Sequence, residues 1–102
     1  MKAQEVKDMK FLATWTVRHG CWQEAATRFL SGKADPGQGI KLLGRWHNAD
    51  LSGGFSLIEA DDPAAIYAFS VQWSDVLETH SHLVVEDAEA GAALAKRYGQ
   101  SK

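Results

Sequence analysis

The chain has 102 residues, of which 45% are hydrophobic and 24% charged, and its formal net charge at pH 7 is −2. This length predicts a single domain, and the even mixture of acidic and basic residues excludes the basic stripe that binding to nucleic acid or to an anionic membrane surface requires. The longest uncharged run, residues 63–74, is shorter than the roughly 20 apolar residues that cross a bilayer. We therefore expect neither nucleic acid nor membrane among its partners.

The N-terminal segment, residues 1–8, is polar and lacks the apolar stretch of a secretory signal. We interpret it as a flexible arm, with Met9 as an alternative start. The lone cysteine, Cys21, rules out an intrachain disulfide and is typical of a reducing compartment. These features predict a cytoplasmic protein with one folded domain over residues 9–98 and a short tail over residues 99–102.

The first half of the chain predicts a strand, a helix and a second strand. Residues 10–17 are rich in β-branched and aromatic types and partly alternate in polarity, which favours a strand. Residues 21–30 place apolar side chains at helical spacing, and Gly32 follows as a helix stop. Turn residues at 33–39 then lead to a strand over residues 40–47.

This second strand carries a cation, an indole and an imidazole at consecutive positions. Alternation places Arg45 and His47 on one face and Trp46 on the other. The same counting adds Lys41 to the face of Arg45, which predicts a cationic strip able to hold a carboxylate or an enolate oxygen. In the alternative interpretation the charges protect an edge strand from unwanted pairing, and Glu59 neutralises Arg45 across the hairpin.

The second half predicts a hairpin, a helix, a strand and a final helix. A glycine-bearing loop over residues 48–54 leads to a third strand over residues 55–59. Asp62 followed by Pro63 predicts a helix start, with Asp62 as the cap. The buried stripe of this helix is Ile66, Phe69, Trp73, Val76 and Leu77, and the later elements are a fourth strand over residues 79–85 and an alanine-rich helix over residues 88–98.

The element order is β-α-β-β-α-β with an added C-terminal helix, which predicts an α+β, ferredoxin-like fold with a four-stranded antiparallel sheet. In this topology both main helices cover one face of the sheet and leave the other bare. Because all four strands carry apolar residues on both faces, we expect the bare face to be buried against a second copy of the chain.

Three segments, residues 11–16, 44–47 and 61–65, resemble a family of small uncharacterised bacterial proteins within the dimeric α/β-barrel superfamily, and the resemblance covers residues 9–98. It implies a homodimer in which two ferredoxin-like sheets meet face to face as a barrel, with a pocket inside the barrel or between each sheet and its helices. Members of that superfamily include cofactor-independent monooxygenases, muconolactone-type isomerases and haem-binding enzymes. No catalytic motif of these groups matches this chain, so the resemblance assigns no residue a role.

The candidate site residues are polar or aromatic side chains on predicted strands. We expect His47 and His80 as catalytic acid–base groups, and as ligand-binding residues Thr14, Trp15, Arg45, Trp46, Ser56 and His82. These types favour binding of a small organic molecule, anionic or aromatic, and, if the protein is an enzyme, proton transfer or cofactor-independent oxidation. No cofactor and no metal belong to this interpretation.

Two alternatives remain open. The first is a non-enzymatic dimer that binds another protein. The second is a metal site, since His80 and His82 lie about 7 Å apart on one strand face. Its third ligand, His47 or Glu59, would have to come from a partner subunit, because the second and fourth strands are opposite edges of this sheet.

The predicted element that carries each of the four tryptophans indicates its role. Trp22 and Trp73 lie on helix stripes and are predicted to be core residues, whereas Trp15 and Trp46 lie on strands and are either core residues or pocket walls.

Overall fold

The computed structural model describes residues 9–99, so the predicted N-terminal arm, residues 1–8, and residues 100–102 of the predicted tail lie outside the described residues. The strands are β1 (Met9–Val17), β2 (Ile40–His47), β3 (Gly53–Ala60) and β4 (Leu77–Val84), and the helices are α1 (Trp22–Leu30), α2 (Pro63–Trp73) and α3 (Asp87–Tyr98).

The four strands form one antiparallel sheet in the order β2-β3-β1-β4. With two helices between the strands and a third after them, this is the α+β, ferredoxin-like layout that the sequence predicts, and the prediction is confirmed. The central strands are β1 and β3, and β2 and β4 form the edges. No helix within residues 9–99 is both long and apolar enough to cross a membrane.

The start of α2 follows from its capping residue. The Asp62 carboxylate accepts a hydrogen bond from the Ala64 backbone N–H at 2.9 Å, and Pro63 occupies the first helical position, as expected. The end of α2 is earlier than predicted, because the helix stops at Trp73 and β4 begins at Leu77, opposite Val17. An apolar stripe that continues through a turn into a strand looks the same in sequence as a longer helix.

The core consists of two clusters on the helix-covered face of the sheet. One cluster lies under the N-terminal half of α2 and contains Phe11, Ile40, Ile58, Ala60 and Ile66. The other joins α1 to the end of α2 and contains Ala25, Ala34, Trp73 and Val76. Phe69 is half-buried and packs against both.

A β-bulge interrupts β2 and decides which of its side chains point toward the helices. Leu42 pairs with Ile58, but Gly44, rather than Leu43, pairs with Leu57, so Leu43 is the extra residue. The predicted cationic strip of Lys41, Arg45 and His47 is therefore wrong. Strict alternation of side chains along β2 does not allow for the extra residue of the bulge. Residues after the bulge therefore point to the opposite face from the one that alternation predicts.

The register assigns the charged residues near β2 to separate faces. Lys41 lies opposite Glu59 on the bare face, whereas Arg45 lies opposite Ser56 on the helix-covered face. The expectation that Glu59 neutralises Arg45 is also wrong, since Glu59 forms a salt bridge with Lys10 at 3.0 Å. Glu86 and Glu59, in that order of effect, raise the pKa of Lys10 to about 12.

Helix α1 is held to the corner between α2 and β4 by one arginine. Arg28 donates hydrogen bonds to both carboxylate oxygens of Asp75 and a further one to the Gln72 carbonyl, and its guanidinium lies 5.7 Å from the centre of the Trp73 ring. Because Ala25 is the only buried residue among those of α1, this polar attachment is a main contact between the helix and the rest of the domain.

Candidate functional site

A cavity of about 420 Å³ lies between the helix-covered face of the sheet and helices α1 and α2. Ile58 and Ile66 from one core cluster border it, as do Ala25 and Trp73 from the other. The cavity is thus bordered by both core clusters and by Phe69, which packs against both of them.

Aromatic rings form much of the wall of the cavity. Trp15 contributes from β1, Phe29 from α1, and Phe69 and Trp73 from α2. Trp73 is 7% exposed, which confirms its prediction as a core residue. A wall of this composition suits a ligand with a flat or extended apolar body.

His47 reaches the cavity from the edge strand β2. Its imidazole meets the Trp15 ring edge to face, with ring centroids 5.6 Å apart, and the Phe29 ring at 5.2 Å. Both Trp15 and His47 pair with Gly54 of β3, so the two rings approach each other over a residue that has no side chain. Within residues 9–99, the contacts that position the imidazole are these two rings.

Arg45 is the charged residue among those that border the cavity. It is half-buried, its Nη2 donates a hydrogen bond of 2.7 Å to the Ala34 carbonyl, and its guanidinium lies 5.8 Å from the centre of the Phe29 ring. Burial lowers the pKa of Arg45, and the charge of Asp35 partly opposes that effect. Among residues 9–99, no carboxylate oxygen lies within salt-bridge distance of this guanidinium.

The remaining polar groups around the cavity are neutral amides and hydroxyls. Ser56 is 7% exposed and lies on the cavity floor, opposite Arg45 in the strand register. Asn48 borders the hairpin end, and Thr79 and Ser81 border the β4 side. No Asp or Glu lines the cavity among the described residues, so the fixed charge around it is positive.

The hairpin between β2 and β3 and the start of α1 form the mouth of the cavity. Leu51 is 72% exposed and has a positive φ of 75°, a conformation uncommon for a side chain other than glycine. The Trp22 indole N–H donates to the Leu51 carbonyl at 3.3 Å across this mouth. Because Trp22 is 40% exposed, its prediction as a core residue is wrong, and it lies instead where the cavity meets solvent.

The tight turn at Leu51 is supported by its neighbours. The Asp50 carboxylate accepts hydrogen bonds from the Ser52 backbone N–H at 3.0 Å and from the Ser52 hydroxyl at 2.6 Å, which lower the pKa of Asp50. These contacts fix the shape of the hairpin tip, and the Trp22–Leu51 hydrogen bond joins that tip to α1.

The bare face of the sheet carries a second group of aromatic residues. Trp46 stacks on Phe55 with centroids 5.3 Å apart, and the two side chains are 51% and 39% exposed. The Trp46 ring also lies over Gly44, where an added Cβ would come within 2.5 Å of the ring. Glycine at this position is therefore required for the indole to lie flat on the sheet.

The structure divides the predicted site residues between the two faces of the sheet. The helix-covered face and its cavity bring together Trp15, Arg45, His47 and Ser56. The bare face carries Trp46, His80, His82 and Thr14, although Thr14 also borders the cavity.

The histidines therefore do not form one site within a chain. His80 and His82 lie on the bare face of β4, and His47 lies on the opposite face of the sheet at the other edge. His80 is exposed and lies 3.3 Å from the Glu78 carboxylate. In the part of the chain that the structure describes, no three His, Cys, Asp or Glu side chains are grouped to hold a metal ion.

Several cavity residues were not singled out from the sequence as site residues. Phe29 and Trp22 belong to the apolar stripe of α1, which correctly indicates the side that faces the sheet. Periodicity does not distinguish a helix face that closes over a cavity from one that packs a filled core. Leu51 and Asn48 carry no signal beyond their place in a turn.

Comparison with protein-family models matches residues 9–98 to one family, described as a domain of unknown function, DUF3303. Searches of the curated proteins and of the solved structures found no significant match.

Proposed function

The chain belongs to the DUF3303 family, a domain of unknown function, and from that premise we propose that it is a homodimer that binds a small organic molecule, anionic or aromatic, in the cavity between its sheet and helices. The proposal does not specify a reaction. His47 is the residue of the site able to act as an acid–base group, and no cofactor takes part.

The observation that carries the proposal is the cavity itself. At about 420 Å³ it falls within the roughly 300–1,000 Å³ typical of small-molecule sites. Its composition also fits, because such sites combine predominantly apolar walls with a few polar groups that fix orientation. Here the walls include Trp15, Phe29 and Trp73, and the orienting groups are Arg45 and His47.

The homodimer is proposed from the bare face of the sheet. An exposed Trp46–Phe55 stack beside the half-buried Leu57 is the kind of contiguous apolar surface that marks an interface. The resemblance to the dimeric α/β-barrel superfamily supports the same face, since two such sheets facing each other would bury it on both copies.

The non-enzymatic interaction protein remains the second candidate, and one observation favours it. The outward side of α2 exposes Tyr67 by 74% and Val71 by 54%, and α3 has no buried residue. A partner protein could cover these helices. This candidate does not require the cavity to hold a ligand, so ligand binding separates the two.

The experiment is a titration with the fluorescent dye anilinonaphthalene sulfonate, which pairs an apolar ring system with an anionic group. The test variant is Ala26→Phe, which places a ring into the cavity from α1, and its matched control is Ala68→Phe, at an exposed position of α2 outside the cavity. We expect the dye to bind the unchanged protein and the control equally, and Ala26→Phe about tenfold or more weakly. Equal binding to all three, or no binding to any, would contradict the proposal.

A further inference from the structure

The geometry points to a specific ligand class for this cavity: an elongated, apolar monocarboxylic acid whose carboxylate pairs with Arg45 near β2 and whose apolar body extends under the helices toward Thr79 and Ser81 of β4. This inference rests on the proposed function, because it names the substrate class of the same site.

The first argument is the charge balance of the cavity. Arg45 is half-buried, and the residues that border the cavity within 9–99 include no carboxylate to neutralise it. The nearest acidic influence is Asp35, whose carboxylate accepts a hydrogen bond from the Gly37 backbone N–H at 3.0 Å instead of pairing with the guanidinium. A partly desolvated cation without a counter-ion favours an anionic ligand over a neutral one.

The second argument is the number of donors that Arg45 has to offer. A guanidinium carries five N–H donors in a planar fork, and the described contacts of Arg45 use Nη2 toward the Ala34 carbonyl. The other donors match the two oxygens of a carboxylate, which arginine binds in a two-pronged arrangement. The Phe29 ring beside the guanidinium keeps this pair in apolar surroundings, where it is stronger than in water.

The third argument is the shape of the space. The cavity is bordered by residues of all four strands, from Arg45 on the edge strand β2 to Ser81 on the opposite edge strand β4. That distance is three strand spacings, or about 14 Å. Between these ends the floor includes Ala13 and Ile58, and the helices above supply Phe69 and Trp73. A charged head at one end therefore continues into an apolar body, either an alkyl chain or a pair of fused rings.

The orientation follows from where the polar groups lie. The β4 end offers the hydroxyls of Thr79 and Ser81 but no charge. A carboxylate placed there would lose its pairing with a cation, and an apolar tail placed at Arg45 would leave the guanidinium unpaired. The reverse orientation is thus disfavoured at both ends.

The experiment compares matched pairs of ligands by calorimetry: decanoate with decanamide, and naphthoate with naphthamide. Each amide has nearly the shape of its acid but no charge. We expect the acid to bind the unchanged protein about tenfold or more tightly than its amide, the effect of a hydrogen bond to a charged group. If both members of each pair bind equally, or if none of the four binds although the dye does, the inference is wrong while the proposed function stands. If neither the dye nor any of the four binds, both are contradicted.

Variants of Arg45 test whether this residue is the source of the preference. Arg45→Gln should remove the difference between acid and amide, and Arg45→Lys should keep a smaller difference because it retains the charge without the fork. Arg18→Gln is the matched control, since Arg18 bonds to the Ser74 carbonyl outside the cavity. A preference for the acid over the amide that survives in Arg45→Gln would overturn the assignment of that preference to Arg45. If a variant fails to fold, the ligand comparison on the unchanged protein still decides whether the cavity prefers a charged ligand.

A chain-length comparison tests the orientation. Ser81→Leu fills the β4 end, so decanoate should bind it several-fold more weakly than it binds the unchanged protein, while hexanoate, which is too short to reach that end, should bind both alike. His82→Leu, on the opposite face of the same strand, is the control. An equal loss for both acids, or no loss for decanoate, would contradict the orientation.

Discussion

The indole of Trp15 and the imidazole of His47 meet edge to face, with centroids 5.6 Å apart, although β3 separates the two strands that carry them. The contact exists because both residues pair with Gly54, whose missing side chain leaves the floor of the cavity open between the rings. The position of the His47 imidazole thus depends on a glycine of β3, the strand that lies between the strands of the two rings.

The first prediction is that Gly54→Ala destabilises the domain. An added Cβ would lie 2.7 Å from the Trp15 ring and would also overlap the Trp46 backbone carbonyl. Overpacking of this kind costs about 1–3 kcal/mol, and the backbone overlap places this variant toward the upper part of that range. Urea unfolding measures the change.

Gly91→Ala in α3 is the matched control for that variant. An added Cβ at Gly91 meets nothing within 4 Å, and alanine is the better helix former by about 1 kcal/mol. The same glycine-to-alanine change should therefore stabilise at one position and destabilise at the other. A Gly54→Ala protein as stable as the unchanged one would show that the rings do not need this gap.

The second prediction concerns the mouth of the cavity. Trp22→Phe keeps a ring there but removes the indole N–H that donates to the Leu51 carbonyl at 3.3 Å. The bond is exposed, so its loss should change the free energy of unfolding by only about 1 kcal/mol or less. We expect naphthoate to dissociate several-fold faster, as measured by stopped-flow fluorescence, because the hairpin tip is no longer tied to α1.

Trp46→Phe provides the comparison, since it makes the same change on the bare face, away from the cavity. It should leave the dissociation rate unchanged. Equal rates for Trp22→Phe and the unchanged protein would mean that the mouth opens without breaking this contact.

The third prediction is that the free energy of unfolding depends on pH through the ionisation of Asp75. The hydrogen bonds from Arg28 lower the pKa of Asp75 below the ordinary value of 3.8. A carboxyl whose pKa is lower in the folded than in the unfolded state contributes stability above the unfolded value and loses it as the pH falls through the folded value. Asp75→Asn should therefore destabilise the protein at neutral pH but not once the pH is below both values.

Urea midpoints measured across that pH range check this prediction. Asp61→Asn is the control, because Asp61 takes part in none of the salt bridges among residues 9–99. If the difference in urea midpoint between Asp75→Asn and the unchanged protein stays constant down to the lowest pH, the ionised Asp75 carboxylate is not the source of that stability.

The fourth prediction addresses the proposed dimer. Trp46→Glu places a charge within the exposed aromatic stack on the bare face, and we expect it to convert a dimer to a monomer in sedimentation velocity. Tyr67→Glu adds the same charge on the outward side of α2 and should leave the dimer intact. The opposite result, with Tyr67→Glu dissociating the dimer, would place the interface on the helices and contradict the proposed dimer face.

Much of the fold could be predicted because its signals are local. The Asp62 cap with Pro63 marks the start of α2, and the alternation in β1 indicates which of its residues face the helices. The end of α2 has no such signal, since Val76 and Leu77 continue its apolar spacing after the chain has left the helix. The topology then follows from the order of the elements, because only a few sheet topologies are compatible with that order.

The site could be predicted only in part, because its assembly depends on register and on empty space. The residue types of Arg45 and His47 indicated a site, but the bulge at Leu43 determines that they lie apart from Lys41 and on the opposite face from His80. A helix stripe containing Trp22 and Phe29 indicates a covered face, and nothing in its spacing shows that a cavity lies beneath.

The bulge in β2 also has a consequence for how relatives of this chain should be aligned. Leu43 is the extra residue of the strand, so a protein lacking it could pair as a regular strand with Leu42 and Gly44 adjacent and still direct the equivalent of Arg45 toward the cavity. A one-residue gap at this position is therefore compatible with an unchanged binding face, whereas the same gap within β1 or β3 would exchange the faces of every residue beyond it. Insertion or deletion of one residue at position 43 is therefore expected to leave the binding face of homologues unchanged. An alignment that places this gap elsewhere in β2 would assign the cavity residues to the wrong side of the sheet.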